Sequence, residues 1–429
     1  MNYTYKHIWL INFPVMMSIL IEQLINITDA IFLGHVGEIE LGASALAGIW
    51  YLAIYMLGFG FSLGLQVVVA RRNGEQHYTE TGKTFFQGLF FLSGLAVFLC
   101  LLSKLFSPII LSRLIASAEV YHAVIDYLDG RIWGLLFSFP FLALRSFLVG
   151  ITHTKALNVA ALTAVLVNIS GNWLLIFHWD MGIAGAAIAS SFAEACSLAV
   201  LAIHVLRKMD KRLYGLSWSF DKGVLLHVFR VSVWSMFHSF IGVAPWFLFF
   251  VAIEHLGELQ LAVANILRSI STLFFVIVNS FAATTGSLVS NLIGADERGQ
   301  VFPLCSRVIR LGYAIGFPLI ALALIFHQSV IDVYTDNPVI VQTSWLPFVV
   351  MLLNYVFALP GYVYMNAVTG TGATRTAFIL QATTIAAYLL YLWGLSHCDV
   401  PLAVYWTVEY LFVIGPGVQS VIYLKHKHY

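Results

Sequence analysis

Charge is scarce in this chain. Only 22 of its 429 residues are lysine or arginine and 21 are aspartate or glutamate, 10% in all. An ordinary soluble domain carries about 25%. A water-soluble globule of this composition would leave most of its surface apolar and is not expected. The net charge of +1 provides no basic field to steer a polyanion, so no nucleic acid is expected as a partner. Cysteine is also rare. Cys100, Cys196, Cys305 and Cys398 have no paired spacing and three lie in apolar runs, which argues against a disulfide framework or a structural metal. The histidines are scattered and no HExxH or other compact metal motif occurs, so no enzyme and no cofactor are expected. No pore-loop element repeats, which disfavours a channel. The first apolar run has only Lys6 and His7 as a basic flank and lacks a small-residue cleavage site; it reads as a retained helix instead of a removed leader.

What the chain does contain is apolar length. Hydrophobic residues make up 60% of it, with 33 Phe and 19 Tyr. A hydrocarbon layer of about 30 Å needs roughly 20 residues of helix. Apolar runs fall at about 8–33, 41–70, 84–110, 122–151, 156–177, 182–206, 224–252, 259–293, 307–327, 338–368, 376–396 and 401–424. Twelve spans of this length must be helices, because lipid offers no partner for an open backbone. With both termini cytoplasmic, the inner loops hold Arg71, Arg72, Lys83, Lys155, Arg207, Lys208, Lys211, Arg212, Lys222, Arg298 and Arg375, while the outer loops hold little beyond Lys104 and Arg113. That asymmetry predicts both termini on the cytoplasmic side.

The chain also repeats itself. "GHVGEIELGASA" (34–45) resembles "EHLGELQLAVAN" (254–265), Gly74 matches Gly294, and "GITHTK" (150–155) matches "GTGATR" (370–375), all at one offset of 220 residues. The basic stretch "RKMDKRLYGLSWSFDKG" (207–223) separates the halves. The expectation is an N-terminal six-helix lobe at 1–206, a cytoplasmic linker at 207–223 and a C-terminal lobe at 224–429. Because each half has an even number of spans, the two lobes should be related by a pseudo-two-fold axis normal to the membrane. Substrate would bind between them and access would alternate as they rock.

Some ionisable residues lie where lipid makes them expensive. Glu22 and Asp29 are seven residues apart, on one face of the first span. A carboxylate at such depth must be paired, hydrated or protonated, which makes it a candidate ion carrier. Depth brings Asn172 of the fifth span to the tier of Asp29, and Asn168, its i, i+4 partner, with Ser190 and Glu194 of the sixth span, to the tier of Glu22 a turn or two lower, one polar cluster in the outer half of the N-terminal bundle. The competing structural readings are helix-to-helix hydrogen bonding by Asn168, Asn172 and Ser190, and Glu22 and Glu194 as counter-ions to Arg145. In the second half the positions of Glu22 and Asp29 are taken by Gly242 and Phe249. Glu254 lies at the outer end of the seventh span and Glu409 alone lies deep in the twelfth, with Arg268 as a structural partner for one of them or for a helix terminus. Candidates for lining a substrate cleft are Tyr51, Tyr55, Gln66, Trp234, His238, Asn279, Asn354, Tyr355 and Tyr362, whose aromatics and amides suit cationic or amphipathic organic molecules.

These residues resemble a known family. "FPVMMSILIEQLINITDAIFLGHVGEIELGASALA" (13–47), "MGIAGAAIASSF" (181–192), "GITHTK", "GTGATR" and "NSFAATTGSLVSNLIGA" (279–295) are similar to the multidrug and toxic compound extrusion (MATE) transporters. The resemblance implies an all-α polytopic membrane protein whose twelve transmembrane helices form a V-shaped pair of six-helix bundles. It implies export of organic, often cationic, drugs against inward flow of protons or sodium ions, with the chain acting as a monomer. Carried over by pattern, the ion site is Asp29, Asn168, Asn172 and Ser190. Here Asn172 stands where many members have a second acid, and Glu22 and Glu194 could supply the missing charge. A sodium ion would take oxygens from Asp29, Asn168 and Asn172; a proton needs only the carboxyl. The acids some members carry in the membrane portion of the seventh and tenth helices are not matched. The alternative is an exporter or flippase of a metabolite or lipid-linked precursor on the same kind of fold.

Overall fold

The structure is a computed structural model and describes residues 3–34, 36–115, 117–254, 256–334 and 337–429. The first half contains α1 (Tyr5–Gly34), α2 (Glu38–Gly74), α3 (Tyr78–Leu114), α4 (Ala118–Arg131), α5 (Leu135–Gly150), α6 (Lys155–Asn172) and α7 (Gly182–Lys208). The second contains α8 (Lys222–Ile241), α9 (Ala244–Glu254), α10 (Glu258–Gly294), α11 (Val301–Ile325), α12 (His327–Asp332), α13 (Pro338–Gly370), α14 (Thr374–Leu395), α15 (Leu402–Tyr405) and α16 (Val408–His426). No strand occurs among the described residues, and twelve helical segments are long and apolar enough to cross a membrane.

Three spans are less continuous than hydropathy suggests. The fourth passes from α4 to α5 through a 3-10 turn at Ile132–Gly134. The seventh breaks between α8 and α9, where Pro245 lies at the second position of the new helix and its missing N–H costs nothing. The twelfth breaks between α15 and α16. The fifth span ends in a π-helical turn, Trp173–His178.

The internal repeat is visible in the helix boundaries. α2 and α10 span Glu38–Gly74 and Glu258–Gly294, and the fourth and tenth spans cover Ala118–Gly150 and Pro338–Gly370, each pair 220 residues apart. Left-handed turn residues repeat in the same register. Gln76 (φ 60°) corresponds to Asp296 (φ 58°), and Thr152 (φ 62°) to Gly372 (φ 88°).

The chain packs as two compact units, residues 13–236 and residues 1–12 with 237–429. Each unit takes in the first turns of the helix that opens the other half. In the second unit, Asn12 of α1 donates to Ser280 Oγ (3.4 Å) and accepts from Thr284 Oγ1 (2.9 Å), both on α10, and Arg307 donates to the Tyr3 carbonyl (2.9 Å). In the first unit, Ser232 of α8 lies against Gly64 of α2, at the position equivalent to Asn12 against Thr284. The interhelix stretch 207–223 is strapped to the first unit. Tyr214 is buried between the rings of Tyr78 and Phe147, both 5.7 Å away, and Gln87 of α3 donates to the Ser219 carbonyl (2.6 Å) while accepting from the Asp221 N–H (3.2 Å). Burial, with Tyr78 and Asp210 nearby, pushes the Tyr214 phenol above its ordinary pKa.

Candidate ion-coupling site

Small residues on α7 place the site. Gly130 of α4 abuts Ala187, Gly171 of α6 abuts Ala189, and Gly185 abuts Leu175, so α7 lies close to both neighbours. Leu33, Ala43, Val124, Leu128, Ile183 and Ala186 close the apolar cluster that joins α1, α2, α4 and α7. This packing turns Ser190 towards α1, while the i, i+4 spacing of Asn168 and Asn172 puts both amides on one face of α6.

The three helices meet at Asp29, which is 8% exposed. Its Oδ1 accepts from Asn172 Nδ2 (2.6 Å) and Asn168 Nδ2 (3.0 Å), and its Oδ2 accepts from Ser190 Oγ (2.7 Å). Asn168 Nδ2 also donates to Ser190 Oγ (3.0 Å), and Asn172 Nδ2 to Asn168 Oδ1 (3.3 Å). All three partners are neutral donors. The buried Oδ1 of Asn172 has no hydrogen-bond partner. Four of the six expected site residues therefore form one cluster.

Glu194 belongs to an adjoining network and has a different counter-ion from the one expected. Its Oε1 lies 2.6 Å from Arg131 Nη2 and accepts from the Tyr51 hydroxyl at 3.4 Å, while the Arg131 guanidinium stacks 3.9 Å from the centre of the Tyr51 ring. The expectation of Arg145 is thus corrected to Arg131. Arg145 is buried on α5 with its guanidinium 6.0 Å from the Phe59 ring. Arg131 is the last residue of α4, where the 3-10 turn begins, and Gly134 beyond it leaves no room for a side chain against Arg131 and Glu194. Arg131 is within electrostatic reach of Asp29, yet its ion pair is with Glu194. The side chain of Glu22, and that of Glu254, lies outside the described residues.

The cleft candidates are divided between the units. Tyr51 and Tyr55 form a stacked column with Phe59, with ring centres 6.2 and 6.3 Å apart, and Gln66 and Trp234 belong to the same unit. In the other unit His238 is hydrogen-bonded to Gln381, and Asn279 is exposed. There Asn354 is buried, Tyr355 donates to the Gly312 carbonyl (2.8 Å), and Tyr362 packs edge-on against Phe275 (5.8 Å). A recess of about 570 Å³ between α4 and α7 is lined by Asp126, Asp129, Trp133, Phe137 and Phe192 among others, and by none of these nine. Sequence reasoning missed two pairings, Arg131 with Glu194 and Tyr388 with Glu409, the latter made by a hydroxyl donating at 2.8 Å. The only signal for either was a deep charge that required a partner.

Twelve helical segments able to cross a membrane, with a buried acid held by neutral donors where α1, α6 and α7 meet, mark a multi-pass helical membrane protein. A profile of the MatE family matches residues 14–174 and 235–392. The probable multidrug resistance protein NorM of Photorhabdus laumondii is 26% identical over 365 residues, which cover 82% of this chain and 78% of that one. The multidrug resistance protein NorM of Vibrio cholerae is 23% identical over 342 residues, covering 77% and 74%. Among solved structures, the outward-facing conformation of a multidrug resistance MATE family transporter of the MOP superfamily matches with a TM-score of 0.90 at 18% identity, covering 99% of this chain and 95% of that one. The chain belongs to the MatE family and is a membrane transporter, not an enzyme.

Proposed function

We propose that this transporter is a cation-coupled antiporter that exports organic, cationic or amphipathic compounds across a plasma membrane. In this reading it works as a monomer with both termini cytoplasmic. Its lobes, 1–206 and 224–429 joined by 207–223, alternate access, and the relatives named as multidrug resistance proteins support the substrate class. The observation that carries the coupling is Asp29, a buried acid with three neutral donors and, among the described residues, no ion pair. An uncompensated charge in that setting is costly, so the carboxyl has one exchangeable cation to gain.

The donor pattern favours a proton. Asn168, Asn172 and Ser190 already direct hydrogens at the carboxylate, and Asn172 Oδ1 is the unpartnered amide oxygen nearby. A dehydrated sodium ion would need several oxygens turned inward. Protonation gives Asp29 an O–H donor, for which the unpartnered Asn172 Oδ1 or the Ser190 hydroxyl oxygen can serve as acceptor, and neutralising the carboxyl weakens the charge-assisted bonds that hold α1 to α6 and α7. Proteoliposomes loaded with a cationic dye test this. An imposed proton gradient should drive dye movement in the wild type and fail in Asp29→Asn, which keeps the side-chain shape. Dye movement indifferent to both proton and sodium gradients would refute antiport, and gradient-driven movement unchanged in Asp29→Asn would remove Asp29 from the coupling.

A further inference from the structure

The 220-residue repeat carries the cluster of the first unit onto definite positions in the second. Asp29 corresponds to Phe249, Asn168 to Tyr388, and Ala189, next to Ser190, to Glu409. The second unit thus has no acid at the position of Asp29, Glu254 standing only at the outer end of α9, but has one on the wall opposite. Glu409 is 4% exposed, and its Oε1 accepts a hydrogen bond from the Tyr388 hydroxyl at 2.8 Å. The donor therefore occupies the place of Asn168, and the acid has moved from the opening helix to the last.

The surroundings narrow what this acid can hold. Tyr388 and Phe249 are fully buried, Trp406 packs edge-on to Phe249 at 5.2 Å, and Phe412 does the same to Tyr388 at 5.8 Å. The Pro245 carbonyl, at the break between α8 and α9, is 3.5 Å from the Tyr388 hydroxyl. The titratable groups facing Glu409 are Tyr388 from α14 and Tyr362 from α13; α9 presents Phe249 and Trp246. Arg268 of α10 does not reach it, lying instead over the Phe250 ring at 5.2 Å. Among the described residues Glu409 has no ion pair. A metal ion would find one carboxyl, one phenol and a carbonyl among aromatic rings, too few oxygens to replace its water. A proton needs only the carboxyl, and neutralises it.

We infer that Glu409 and Tyr388 form a second proton-exchange site, in the C-terminal unit, where pseudo-symmetry places the counterpart of the Asp29 cluster. Glu409 is the group that takes up and releases the proton, and Tyr388 is a positioning residue that donates to the ionised form. The inference rests on the reading of the protein as a cation-coupled antiporter, which supplies the reason for a proton to come and go.

Infrared difference spectra of the purified protein in lipid, recorded on stepping the pH, report protonation of buried carboxyls directly. The wild-type spectrum should contain one carboxyl signal that is lost in Asp29→Asn and a separate one that is lost in Glu409→Gln. Tyr388→Phe keeps the ring and removes only the hydroxyl. It should move the titration midpoint and frequency of the Glu409 signal and leave the Asp29 signal in place. A Glu409→Gln spectrum identical to the wild type overturns the second site. If dye efflux in that variant still follows the proton gradient, the antiporter reading survives. Wild-type efflux indifferent to any ion gradient overturns the antiporter reading instead, whatever the Glu409 signal does. Should Glu409→Gln fail to fold, Tyr388→Phe decides, and an unmoved spectrum there counts against the inference.

Discussion

At the scale of single residues, Asp29 and Glu194 of the first unit are satisfied in opposite ways. Asp29 is met by neutral hydrogen-bond donors, Glu194 by the Arg131 guanidinium. A buried ion pair is weak evidence of net stability, because desolvation consumes most of the Coulomb gain, but halving it strands a charge. The pair is only partly buried, so Arg131→Met should cost less than the ~3–5 kcal/mol of a fully buried pair, while Arg131→Met combined with Glu194→Leu should recover most of it. Thermal unfolding in detergent distinguishes the two; equal losses in the single and double variants would mean that the pair is not the source. The Asp29 cluster is legible in the amino-acid sequence because helix depth and an i, i+4 pair of amides suffice to place the four residues in adjacent tiers of one polar cluster. The Arg131 pairing is not, since several arginines lie in apolar runs and the choice among them depends on helix rotation.

At the scale of elements, the repeat exposes a local strain. The turn after the fourth span uses Thr152 at φ 62°, where the turn after the tenth uses Gly372 at φ 88°. A β-branched residue is a rare occupant of this left-handed region and costs roughly 1–3 kcal/mol there, whereas glycine adopts it freely. Thr152→Gly should accordingly be neutral to stabilising, by up to about 1 kcal/mol, and Gly372→Thr destabilising by a similar or larger amount. Unfolding midpoints of the two single variants check the sign, and a stabilised Gly372→Thr would contradict the strain. The breaks in the fourth, seventh and twelfth spans belong to this scale as well. Hydropathy cannot register them because a 3-10 turn or a two-residue interruption leaves the apolar run unaltered.

At the scale of the whole molecule, a positive-inside count and the even number of spans make a topological prediction. In a cysteine-free background, a cysteine at Ser217 should react with a membrane-impermeant maleimide only from the cytoplasmic side, and one at Asp180 only from the outside. Labelling of both from one side would break the twelve-span orientation. The number of spans, the 220-residue repeat and the approximate depth of Asp29, Asn168, Asn172 and Ser190 were determined by the amino-acid sequence alone. All depend on apolar length and on periodicities that run along a single helix. The tertiary structure alone decided that Arg131 and not Arg145 meets Glu194, that residues 1–12 pack with 237–429, and that Tyr388 donates to Glu409. Those outcomes depend on how each helix is rotated and tilted against its neighbours. In lipid, that is set by the fit of small residues such as Gly130, Gly171 and Gly185 and not by hydropathy.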